Sequence, residues 1–132
     1  MKKNAFTLIE LLAIIVVIGM IALISSPIIL GVLEDSRKKV FETDTKTIER
    51  EIIRYVTQNG GTGTFIINDG TVTLDGKNTD VQSGKGYYGT IIVDDDGYSS
   101  FAIHNHRWCA LKENQGNIEI IDYEESTCKI EE

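Results

Sequence analysis

The sequence predicts an α+β protein: one long N-terminal helix, apolar enough in its first half to enter a membrane, packed by its second half against a small antiparallel β-sheet. Three observations carry that prediction. Leu11 through Leu33 contains no charged residue. Apolar residues then recur every three to four positions from Phe41 to Val56. Beyond Gly61, short β-rich runs alternate with turn residues. With 132 residues and 42% hydrophobic content, the chain is long enough for one small soluble domain plus an anchor. Its net charge of -7 disfavours attachment to nucleic acid or anionic headgroups, because attraction to phosphate needs a basic surface.

At about 1.5 Å per residue, the uncharged run from Leu11 to Leu33 covers roughly 34 Å, the thickness of a bilayer's hydrocarbon core. A secretory signal peptide also begins with basic residues such as Lys2 and Lys3, but its apolar core is only about 7 to 15 residues long. Glu10 interrupts the start of the apolar stretch, between Ile9 and Leu11. Deep in a bilayer an ionised carboxylate costs about 2.5 to 3.5 kcal/mol and calls for a partner; at the headgroup boundary it costs little. Position alone leaves both readings open.

The segment Ala5-Phe6-Thr7-Leu8-Ile9-Glu10-Leu11-Leu12 closely resembles the prepilin processing motif of type IV pilins and pseudopilins. The resemblance covers roughly the first 40 residues. It implies that a prepilin peptidase cuts between Ala5 and Phe6 on the cytoplasmic side and N-methylates the new Phe6 terminus. It also implies that Glu10 serves filament assembly. The family usually has glycine before the cut; Ala5 is small enough for cutting to be expected, at a slower rate. Pro27 falls where many type IV pilins carry a helix-bending proline, and Ile29-Leu30-Gly31 followed by Glu34-Asp35-Ser36-Arg37-Lys38 is similar to pilins of Gram-positive bacteria. The implied organisation is a leader over 1–5, a transmembrane and assembly helix over 6–33, and a globular pilin domain over 34–132. Charge counting leaves orientation undecided, since Lys2 and Lys3 face Arg37, Lys38 and Lys39 across the run. The family places the leader in the cytoplasm, the rest outside, and the mature chain in an extracellular pilus or pseudopilus.

Physical logic is consistent with that role for Glu10. Cleavage gives Phe6 a free amine about one helical turn from the carboxylate, so a neighbouring copy shifted along the axis is expected to pair its amine with Glu10 in the apolar filament interior. At Pro27 the missing backbone donor and the ring predict a bend, with Ser25 and Ser26 offering hydroxyls to the freed carbonyls. Either a static kink or a segment that melts during packing satisfies this pattern.

Past Leu33 the pattern turns amphipathic, with Phe41, Ile48, Ile52, Tyr55 and Val56 on one face. Acid-before-base pairs four apart, Glu34 with Lys38, Asp35 with Lys39 and Glu42 with Lys46, mark a solvated face. Asn59-Gly60-Gly61 supplies the stop, so the helix is expected from about Thr7 to about Gln58. Six strands are expected after it: Thr64 to Ile67, Thr71 to Leu74, Tyr87 to Val93, Tyr98 to His104, Trp108 to Lys112 and Asn117 to Ile121. Asn68-Asp69-Gly70 and Asp95-Asp96-Gly97 are the clearest turns. Cys109 and Cys128 are expected to pair in an oxidising compartment, the alternative being two buried free thiols; many type IV pilins have a C-terminal disulfide-bounded loop.

His104, His106 and Cys109 are too few to predict a metal site, and Asp94-Asp95-Asp96 lacks the spacing of an EF-hand and reads as a turn. Neither a phosphate loop nor a nucleophile elbow is present, so neither catalysis nor a cofactor is expected. The reading is a structural pilus subunit for adhesion, motility or surface contact. Its expected partners are prepilin peptidase, other pilin subunits, the inner-membrane assembly platform with its ATPase, and membrane lipid before assembly. A pseudopilin of a type II secretion or DNA-uptake machine is the alternative within the family; a monomeric membrane-anchored binding domain is the alternative outside it.

Overall fold

A computed structural model of the chain describes residues 5–130. Lys2 and Lys3, and the rest of the expected leader before Ala5, lie outside the described residues. Helix α1 covers Leu8–Asn59 and is followed by seven strands: β1 (Gly63–Asn68), β2 (Thr71–Leu74), β3 (Lys77–Gln82), β4 (Tyr88–Val93), β5 (Ser99–His104), β6 (Trp108–Lys112) and β7 (Glu119–Asp122). The chain divides into two compact units, Met1–Arg37 and Lys38–Glu132.

In the first unit α1 contains Pro27, and helical structure continues through it. The Ser25 and Ser26 hydroxyls donate to the Ile21 and Ala22 carbonyls at 2.8 and 2.9 Å. Pro27 frees the Leu23 carbonyl, four residues back, whereas these hydroxyls go to the two carbonyls before it, so the expected replacement of the missing donor by Ser25 and Ser26 is not what they do.

In the second unit α1 buries Phe41, Thr45, Ile48, Glu49 and Ile52, residues three or four apart on a single face. They meet a seven-stranded sheet of order β3-β2-β1-β4-β5-β6-β7, antiparallel throughout. Strand alternation sends Phe65, Ile67, Val72, Ile91, Val93, Phe101, Ile103 and Ala110 into the core beneath the helix. Trp108 and Tyr87 flank Phe41, each with ring centroids 6.0 Å from it. Tyr87 also donates a hydrogen bond to the Asp44 carboxylate. Burial first, and that acceptor second, push its phenol far above the ordinary tyrosine range.

A further polar contact, more deeply buried, joins helix and sheet. Glu49 Oε1 accepts from Ser99 Oγ and from Lys112 Nζ, both at 2.5 Å, so a helix carboxylate is matched by a hydroxyl and an ammonium from the sheet. On the solvated side Lys46 and Lys39 both reach Glu42, at 2.6 and 3.2 Å. Lys39 thus takes the acid three residues ahead of it rather than Asp35, four behind; such exposed pairs contribute about a few tenths of a kcal/mol.

The sheet has one strand more than the sequence pattern predicts. β3 carries Lys77, Asn78, Asp80 and Gln82, and only Val81 is fully buried, so it shows no apolar alternation to read. It pairs with β2 as an edge strand with a shifted register, where a polar, irregular strand resists pairing with other chains.

Gly89 in β4 has φ 141° opposite Ile103, and a Cβ there would lie 2.0 Å from the Ala102 carbonyl oxygen. Gly89→Ala is therefore expected to destabilise the second unit by at least about 2 kcal/mol, from strain in the central β4–β5 ladder. Urea unfolding of the full chain in micelles would read this as a lowered midpoint; an unchanged midpoint would show that the strands shift at little cost.

Candidate functional site

The site begins where the helix begins. Ala5, Phe6 and Thr7 precede α1 and are exposed, Phe6 at 79%. The Ala5–Phe6 bond thus precedes the helix in exposed chain. Thr7 then caps the helix reciprocally. Its amide donates to Glu10 Oε2 at 2.8 Å, and its Oγ1 accepts from the Glu10 amide at 3.3 Å. This is a capping box, in which two otherwise orphaned donors are satisfied by side chains three residues apart. Its consequence is positional: the Glu10 carboxylate turns back along the helix to the residue next to Phe6.

Behind it lies an apolar surface that is exposed among the described residues. Leu8, Ile9, Leu11 and Leu12 are exposed, and the large hydrophobics continue so through Leu33. The helix is long and apolar enough to cross a membrane. Exposed apolar surface of that extent needs lipid or another protein against it.

Apart from Pro27, in the first unit, the other residues that the sequence singles out fall elsewhere, in the second unit. Cys109 and Cys128 are joined, with Cα atoms 5.8 Å apart, tying the C-terminal segment to β6. On the chain-entropy estimate this closure contributes roughly 3 kcal/mol. Cys109 is therefore no thiolate ligand beside His104 and His106. Those two imidazoles instead pack with Tyr88 and Tyr123, with His104 stacked 4.2 Å from Tyr123 and 5.7 Å from Tyr88. Burial, and secondarily the charge of His106, lower the His104 pKa below the usual histidine value. In the Asp94-Asp95-Asp96 loop the carboxylates serve the turn: Asp94 Oδ1 accepts from the amides of Asp96 and Tyr98, and Asp95 accepts from Thr62.

Comparison with family models finds one match, over residues 1–26: the prokaryotic N-terminal methylation motif. The chain carries that motif. It is typical of type IV pilins and pseudopilins, and it spans Ala5, Phe6, Thr7, Glu10 and the apolar run as far as Ser26. No curated protein and no solved structure matches the chain. One long N-terminal helix followed by an antiparallel sheet is also the layout of the type IV pilin fold. Together these support a pilin-like precursor and point to a structural protein rather than an enzyme.

Thr7 is the site residue that sequence reasoning missed. Its signal was present, since Thr7-x-x-Glu10 ahead of an apolar run is the spacing of a capping box.

Proposed function

We propose that this chain is the structural subunit of a type IV pilus, cut by prepilin peptidase between Ala5 and Phe6, N-methylated on Phe6, and assembled with other pilin subunits into an extracellular filament. The observation that carries the reading is the Glu10 carboxylate, held by Thr7 at the head of an exposed apolar helix. Cleavage leaves an ammonium on Phe6, and close packing of these helices against one another would bury both charges. A carboxylate of one copy beside the amine of the next neutralises the two at once and fixes the axial step between copies. Before assembly, Glu10 keeps a hydrogen-bonded partner in its own backbone, which lowers the cost of a carboxylate at the membrane boundary. Pro27 supplies the bend by which the helix fits its neighbours.

The test is mass spectrometry of fibres sheared from the surface of the producing cells. The expected species begins at Phe6 and carries one extra methyl group, in fibres long enough to image. A chain still beginning at Met1, or absent from surface fibres, overturns the reading.

A further inference from the structure

The outer face of the sheet, turned away from α1, carries a groove of about 380 Å³ that nothing above employs. That volume lies within the range of small-ligand sites. The strand registers put Thr90 opposite Ala102, and Thr64 opposite Ile92, on neighbouring strands. Gly89 and Ala102 keep the floor shallow, and no side chain can grow from position 89 to fill it. One wall is the segment Cys128 to Ile130, held in place by the bond from Cys128 to Cys109. The hydrogen bonds of residues 124–129 are local ones, such as the Cys128 amide to the Glu124 carbonyl at 2.9 Å. The disulfide is therefore what builds this wall.

The lining is chemically mixed. Ile92, 37% exposed, and Ile130 offer aliphatic surface. Thr64, Thr90, His104 and Lys129 offer polar atoms, and none of these four side chains makes a hydrogen bond or ion pair with the described residues. His104 Nδ1 in particular is enclosed without a partner, the one such buried side-chain atom among the described residues. That nitrogen is enclosed, so only the rest of the ring can face a ligand in the groove.

We propose that this groove binds one hexose unit of a neutral glycan. Sugar hydroxyls both donate and accept, which suits two threonine hydroxyls, an imidazole and an ammonium, while the C–H face of a pyranose ring packs on Ile92 and Ile130. The burial and the neighbouring His106 that lower the His104 pKa favour its uncharged ring. Competing ligand classes fit less well. An anion finds a single cation, Lys129, close in sequence to the exposed acids Asp122, Glu124 and Glu125. An extended peptide finds no open ladder, because β1, β4 and β5 are interior strands paired on both sides. A lipid tail would strip water from four polar side chains and return no hydrogen bonds. The site stands apart from the filament reading and survives its failure.

The experiment uses the full chain in zwitterionic, sugar-free detergent micelles, titrated by NMR with the methyl glycosides of glucose, galactose, mannose and their N-acetylated forms. Saturable shifts at Gly89, Ala102 and Lys129 are expected with at least one of them, at the roughly millimolar Kd of a shallow site. Thr90→Phe, which fills the groove from the solvent face, should weaken that binding at least about tenfold with the unfolding midpoint kept. Thr64→Val, a near-isosteric change at an exposed position, should weaken it a few-fold and guards against misfolding of the first variant. No saturable shift with any of the six glycosides overturns the proposal. So does binding indifferent to both substitutions, or shifts at the same residues produced instead by inorganic phosphate or a short peptide.

Discussion

Glu10→Ala is expected to yield a protein that is still cleaved, still in the membrane, and almost absent from filaments. The proposed cut at Ala5–Phe6 precedes the helix, in exposed chain that the substitution does not touch. Assembly is different, because each incoming copy would bury the Phe6 ammonium with no counterion. Removing one partner from a buried pair costs about 3–5 kcal/mol, a factor of a hundred or more at each subunit contact. Alanine also removes the cap that Thr7 shares with Glu10, worth about 1 kcal/mol of helix start. Glu10→Gln separates the two effects. Glutamine keeps a side-chain oxygen for the Thr7 amide but carries no charge, so it should hold the helix start and still fail to assemble. Quantifying sheared fibres against the processed membrane pool decides it: normal filament yield from Glu10→Gln would remove charge pairing from the account.

The second large effect lies in the soluble unit. Lys112→Ala is expected to destabilise it by about 3–5 kcal/mol, because the buried Glu49 would lose its cationic partner and keep only Ser99. That is a large share of the roughly 5–15 kcal/mol by which small domains are stable. Replacing both partners, Glu49→Leu with Lys112→Leu, should cost far less than the single change, since no uncompensated charge is left. Denaturant unfolding of the two variants is the measurement. Near-equal costs would mean that packing at these positions, and not the ion pair, sets the loss. Strand β6 brings Lys112 to Glu49, so the pair also penalises sliding that strand by one position, which would turn the lysine to the opposite face.

Much of this architecture was legible in the residues. The helix ends within one position of the expected limits, because Asn59-Gly60-Gly61 is an unambiguous stop and Thr7 a good start. Phe41, Ile48 and Ile52 sit in the core as their spacing required, with Tyr55 and Val56 packed at its margin. Six strands announced themselves by β-branched and aromatic runs. The seventh, β3, did not: Lys77-Asn78-Thr79-Asp80 reads as loop, and only pairing with β2 makes it a strand, a tertiary effect outvoting local propensity. Glu49 was equally hidden. In sequence it is one more acid in a charged helix, and its burial shows only once Ser99 and Lys112, at separations of 50 and 63 residues, are brought beneath it. At the N-terminus, the motif that contains Ala5, Phe6 and Glu10 was legible because it is local. The partners proposed for these residues on neighbouring chains would belong to an assembly that no single sequence describes.

The order of the strands bears on how the domain acquires its structure. β1 through β3 form one meander and β4 through β7 another, each made by pairing successive strands, and the β1–β4 ladder is the single seam that joins them. Short-range closures are fast, so each half can zip as it emerges, and the slow event is the seam, in which Phe65 finds Ile91. Every rung of that seam lies downstream of α1, so closing the backbone ladders asks nothing of the apolar first half of the helix, which is free to stay in lipid meanwhile.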